Sequence, residues 1–374
     1  MTTSVQSQGT RGEAPPVPPA GVAASWRVEP WRIAPLWQAG RVALGDLLGN
    51  PGAVAGLRHA LDSGQLGHAL LVTGPDQVGK TTLMLSLAAE LLPGGSWPGD
   101  PTTHPDLWLE DSSDERISIR RVRAGGEPGS LQEFLSLRTY AGGARVAIIA
   151  RADRLTEEAA NSLLKTVEEP PPRTHLLLTA HSPERLPATI VSRCGRLALG
   201  LVESLATEAW LRDRHGVDSA TALLAAELGA GRPGRALRLS QDPEALDAEV
   251  KVLDRFLAIG GGGAPAALAA AAELAPGSGG EGRERLLLDL SIWASFVRDA
   301  AVHAAGAPEL ARLRSRSREA EAWARALSPG QSGRILDALL RAGGQVASYA
   351  QPRLLLEILF LDTFAAFPAP PAVA

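Results

Sequence analysis

An α/β domain with a parallel sheet and flanking helices, followed by two helical regions, is the fold class this 374-residue sequence predicts. Three observations predict it. Short apolar runs at 69–73, 107–110, 146–150, 176–180 and 197–199 alternate with helically spaced segments, which implies crossover connections and a sheet covered on both faces. The first run opens into a glycine-rich loop and a helix, the setting of a phosphate-binding loop. Beyond Gly200 the strand signals stop, and Ala- and Leu-rich helical segments take over.

Composition bounds the possibilities. The length predicts two or three domains. A hydrophobic share of 45% is ample for buried cores, while 4% aromatics favours helices. A net charge of −4 supplies no global basic field, which argues against autonomous nucleic-acid binding. The single cysteine, Cys194, excludes a disulfide framework and a cysteine zinc site. Nothing reads as a signal peptide, and no apolar run reaches the roughly 18 residues a membrane span needs. A soluble, cytoplasmic protein with no membrane partner is the expectation.

Residues 1–25 are rich in Pro, Gly, Ser and Thr and lack periodicity, so a disordered or loosely packed arm is expected over 1–40. Trp26, Trp31 and Trp37 fit a packing role against the first domain better than stacking on nucleic acid. Residues 42–63 show helical spacing, with Val54, Leu57 and Leu61 as one stripe.

Residues 69–84 read ALLVTGPDQVGKTTLM and contain the full G-x-x-x-x-G-K-[ST] pattern between strand and helix. Gly74 and Gly79 let the loop approach phosphates, so backbone N–H groups and the helix N-terminus face the anion. Lys80 would reach the outer phosphates, the Thr81 hydroxyl would sit on Mg²⁺, and Thr82 adjoins them. The ligand this implies is ATP or ADP with Mg²⁺. A plain glycine turn is the alternative, but only three of 37 basic residues are lysines, and Lys80 is one of them. A compact ammonium there suits a phosphate.

A loop at 93–101 leads to His104-Pro105-Asp106 and the strand 107–110. Arg120, Arg121 and Arg123 are open to two readings, phosphate contacts or a solvated helix start, of which the second is favoured. Residues 131–140 read as a helix. Residues 157–168 read as another, with an acidic start, a Leu163/Leu164/Val167 face and a proline stop. Ser192-Arg193-Cys194 follows a short helix and precedes a strand, which puts Arg193 at a domain edge. Residues 202–239 read as three short helices broken at Gly216 and at 229–234. From Pro243 on, helical stretches at 286–303 and 333–367 are long enough for a bundle, and 368–374 read as a frayed tail.

Four segments together resemble the bacterial clamp-loader family of AAA+ proteins: GHALL at 67–71, HPD at 104–106, NSLLKTVEEPP at 161–171 and LPATIVSRC at 186–194. The resemblance covers about 40–240. It implies an AAA+ nucleotide-binding domain over 41–200, a helical lid over 201–242 and a helical collar over 243–368. It also implies that Arg193 is an arginine finger offered in trans to a neighbouring subunit's nucleotide. The implied partners are the gamma/tau and delta subunits of the DNA polymerase III loader in a hetero-pentamer, with the sliding clamp and primer-template DNA reached through the complex.

Departures from the family pattern narrow the reading. Motor subunits end the Walker B strand in an Asp-Glu pair, where this chain has Ile148-Ile149-Ala150-Arg151. Asp153 is not expected to substitute. Ala180 stands in place of the sensor threonine, with Thr179 beside it. The lid's sensor arginine falls near Gly234, one residue from Arg235. The zinc-holding cysteines are missing, so no zinc is expected. The implied member is stator-like, binding nucleotide without hydrolysing it. A gamma/tau-type motor and a pure scaffold with an empty loop are the alternatives.

Overall fold

The computed structural model describes residues 43–92, 102, 104–112, 116–140, 142–259, 263–275, 280–347 and 351–364. The expected arm with Trp26, Trp31 and Trp37, the loop at 93–101 and the tail at 368–374 lie outside the described residues.

Among the described residues five strands form one parallel sheet: β1 Ala69–Thr73, β2 Leu107–Glu110, β3 Arg145–Ile149, β4 Thr174–Ala180 and β5 Gly195–Ala198. Their order is β2-β3-β4-β1-β5, every neighbour parallel, so each connection crosses over a face. Side chains alternate between the faces along each strand. Leu70, Val72, Ile148 and Leu177 pack with Leu83, Met84 and Leu87 of helix α2, Lys80–Leu91, which follows α1, Pro51–Asp62. Leu71, Ile149 and Leu178 pack on the other face with Ala159, Leu163 and Val167. The two faces explain why the strands read as continuous apolar runs.

Two short helices, α3 Ile119–Val122 and α4 Leu131–Ser136, lie between β2 and β3. Helix α5, Glu157–Glu168, starts at Thr156, whose hydroxyl accepts the Ala159 N–H at 3.2 Å. Helix α6, Ala188–Val191, precedes β5.

Several element expectations are corrected. Residues 42–63 are not one helix: a 3-10 turn Leu44–Asp46 is separated from α1 by Gly49 and Asn50, both at positive φ, and Pro51 then starts the helix. The helix expected over 131–140 stops at Ser136. There the Asp106 carboxylate accepts the Tyr140 N–H at 2.8 and 3.1 Å and draws the chain out toward β2. Arg121 is not a solvated residue of a helix start: its Nε donates to the fully buried Glu110 carboxylate at 2.6 Å. The last strand ends at Ala198 rather than Leu199.

Beyond β5 no strand occurs among the described residues. Helices α7 Ser204–His215, α8 Ser219–Leu228 and α9 Pro233–Gln241 come first. They are followed by α10 Pro243–Ala258, α11 Gly263–Leu274, α12 Gly280–Ala304, α13 Ser317–Ala326, α14 Pro329–Ala347 and α15 Pro352–Phe364. Within the helical stretch read over 333–367, Pro352 starts a second helix. One apolar core runs through these helices, centred on Phe256 stacked on Trp293 at 4.9 Å and on Phe296, Trp323, Phe360 and Phe364. Six of the 16 aromatic residues of this chain lie in that core.

Candidate functional site

Parallel sheets present their functional loops at the carboxyl ends of their strands, and β1 sits inside the sheet, between β4 and β5. The loop leaving it starts at Gly74, with φ 146°, where a Cβ would lie 2.2 Å from the Leu199 carbonyl oxygen. It closes at Gly79, with φ 102°, immediately before α2. At Gly74 a side chain would strike backbone, and at Gly79 it would be strained by the positive φ and meet the Leu47 side chain.

Lys80 is 6% exposed and its ammonium lies inside the turn. Nζ donates to the Gly74 oxygen at 2.6 Å and the Pro75 oxygen at 2.7 Å, and stands 3.3 Å from Asp76 Oδ1. Burial lowers the Lys80 pKa, and the Asp76 carboxylate offsets part of that. Thr81 and Thr82 stand half-buried on the first turn of α2. A polyphosphate fits this donor set: a lysine, glycines with no side chain to obstruct approach, and a helix N-terminus. Thr81, directly after Lys80, carries the hydroxyl that could hold a Mg²⁺ arriving with a nucleotide.

The carboxyl end of β3 is different. Ala150 is buried, and Arg151 follows in the left-handed region at φ 57°. Its N–H donates to Thr179 Oγ1 at 2.9 Å, so that hydroxyl is committed inside the sheet beside buried Ala180. The Arg151 guanidinium donates to the Ser112 carbonyl oxygen and lies 3.6 Å from Asp111. Asp153 sits in a 3-10 turn with Oδ2 3.8 Å from Arg185, and its charge reaches Lys80. Among the described residues no group of three or more His, Cys, Asp or Glu is placed to hold a metal.

Helix α9 abuts the loop from the other side. The Gly234 N–H donates to the Gln77 carbonyl oxygen at 3.0 Å, and a Cβ on Gly234 would lie 3.1 Å from that oxygen. Arg235 does not serve the loop. It is 2% exposed, donates through Nε to the Leu228 oxygen at 3.2 Å, and pairs with Glu249 of α10 at 2.9 Å. The arginine nearer the loop is Arg232, which the motif reading missed. Burial lowers its pKa while the Asp76 charge raises it, and Nη1 donates to the Ala230 oxygen at 3.2 Å. Its signal in the sequence is its place just before Pro233, where a helix begins.

Arg193 lies apart from this loop. Following α6, two residues before the edge strand β5, its side chain is 39% exposed. Nη2 stands 2.6 Å from Glu168 Oε1, the last residue of α5, and Nη1 donates to the Thr189 oxygen at 3.0 Å. NSLLKTVEEPP and SRC, distant in sequence, meet here.

Residues 49–202 match the family model described as DNA polymerase III, delta subunit. The delta-prime subunit of Haemophilus influenzae is 31% identical over 198 residues, 50% of this chain and 59% of that protein. The tau subunit of Salmonella typhimurium is 30% identical over 154 residues, 40% of this chain and 24% of that one. A solved gamma-subunit-related protein of Thermotoga maritima is 19% identical, with a TM-score of 0.38, over 82% of this chain and 98% of that one. The chain thus spans 59% of the Haemophilus relative's length. The sequence matches support a clamp-loader subunit of the delta-prime type.

Proposed function

We propose that this clamp-loader subunit of the delta-prime type works as a stator in the DNA polymerase III loader, binding nucleotide without turning it over. In this reading it completes a hetero-pentamer with gamma/tau and delta subunits. It assists ATP-dependent loading of the sliding clamp onto primer-template DNA in the cytoplasm. The proposed division is an arm over 1–40, a nucleotide-binding domain over 41–200, a lid over 201–242 and a collar over 243–368.

The carrying observation is a complete phosphate loop after β1 together with a β3, one strand away across β4, that ends in Ala150-Arg151, with the guanidinium tied to Asp111 and Ser112. Gly74, Gly79, Lys80, Thr81 and Thr82 would hold ATP or ADP, and Thr81 the Mg²⁺. Phosphoryl transfer to water needs a group that orients the nucleophile and stabilises developing charge. A cation pinned where the carboxylates of a motor would stand does neither. Arg193, on the sheet's far edge, is the group proposed to complete a neighbour's site.

Calorimetry and a turnover assay on the purified chain test this reading. ADP or ATP should bind, and hydrolysis should fall well below ~1 s⁻¹, the low end of ordinary enzymes. A second reading, a scaffold with an empty loop, draws on the hold of Lys80 on the Gly74 and Pro75 carbonyl oxygens. No heat of binding with either nucleotide would favour it. Ordinary turnover would make the chain a motor.

A further inference from the structure

Glu168 breaks a local rule. It is the last residue of α5, with Glu169 and two prolines after it, so two carboxylates crowd the negative end of a helix. Acids there are unfavourable, because the helix dipole is negative at that end. Local rules fail most often at functional positions. Stability does not explain the pair with Arg193, because ion pairs between half-exposed side chains add little to it. What the pair does fix is geometry. The Arg193 guanidinium is held at two points, by Glu168 on Nη2 and by the Thr189 carbonyl on Nη1, at the end of an otherwise flexible stem.

We infer that Glu168 is a positioning residue for Arg193, ordering the guanidinium before a neighbouring subunit's nucleotide reaches it. The inference rests on the finger reading of Arg193. A free arginine must lose its rotamer freedom as the transition state forms; one ordered beforehand has already lost it. The ordering of such a side chain is equivalent to about fivefold in rate. The carboxylate acts only through Arg193, so it should matter to turnover and not to ATP affinity. Glu169, one residue on, has no such pairing with Arg193 and provides the control.

The test is the DNA- and clamp-stimulated ATPase of loader reconstituted with Glu168→Ala, Glu169→Gln, Arg193→Ala and the Glu168→Ala/Arg193→Ala double variant. Glu168→Ala should lower kcat at the site this subunit abuts by about fivefold, leaving KM for ATP and the assembled mass unchanged. Glu169→Gln should match the unaltered loader, and the double variant should match Arg193→Ala. A Glu168→Ala loader at full or raised speed, beside a slow Arg193→Ala loader, would overturn this inference alone. So would a further loss in the double variant. A silent Arg193→Ala would remove the finger reading, and this proposal with it.

Discussion

Lys80 and Cys194 show how burial sets what a side chain can do. Lys80 keeps its ammonium among carbonyl oxygens of its own loop, at 2.6 and 2.7 Å, and beside Asp76. A phosphate arriving there would replace neutral acceptors with an anion, the stronger partner for an ammonium. Lys80→Ala should therefore weaken ADP binding by at least about tenfold, as loss of a hydrogen bond to a charged group implies. Calorimetry on both forms measures it, and equal affinities would contradict the role given to Lys80. Cys194, beside Arg193, is buried, and burial pushes its thiol up to about 11. At pH 8 only about one thiol in a thousand is then ionised, and the thiolate is the nucleophile. Iodoacetamide should label the native chain at pH 8 far more slowly than the urea-unfolded chain. Equal rates would show an open thiol.

At the scale of elements, what could be read in advance was set by periodicity and by local punctuation. The strands were legible because burial on both faces leaves continuous apolar runs, and the loop because glycine, lysine and threonine fall at a demanding spacing. Tertiary contacts were not legible. Nothing local shows that Asp106 draws Tyr140 out of a helix, that Glu110 captures Arg121, or that Arg235 turns toward α10. The last has an energetic consequence. Glu249 joins Arg235 at 2.9 Å and Arg285 at 2.8 Å, tying α9 to α10 and α12. Glu249→Leu would leave Arg235 buried without its counter-charge, and removing one partner of a buried pair costs about 3–5 kcal/mol. Arg235→Met should cost less, because Arg285 still holds Glu249, and the double variant should recover part of the Glu249→Leu loss. Denaturant unfolding followed by fluorescence gives the order, with Trp293 and Trp323 as reporters in the same core. A harmless Glu249→Leu would mean that the pair is not buried in solution.

The whole molecule separates two cationic groups that phosphoryl transfer usually brings together. Lys80 faces the loop of its own sheet, while the partners of Arg193 are Glu168, Thr189 and Ser192, none of them from that loop. In the stator reading the two therefore belong to different active sites. Arg193→Ala should leave folding and assembly nearly intact, since loss of a surface side chain changes stability by under about 0.5 kcal/mol. It should nevertheless slow hydrolysis at the abutting neighbour's site, where fingers measured in GTPases are worth about 10³–10⁵ in rate. Lys80→Ala in the same reconstituted loader should change total turnover little, because its own site lacks the carboxylates that would drive hydrolysis. The measurement is the clamp- and DNA-stimulated ATPase of loader carrying each substitution separately, with assembly followed by sizing. Should Lys80→Ala abolish activity while Arg193→Ala leaves it untouched, the chain would be a motor, and Arg151 would have to be displaced from β3's end during turnover.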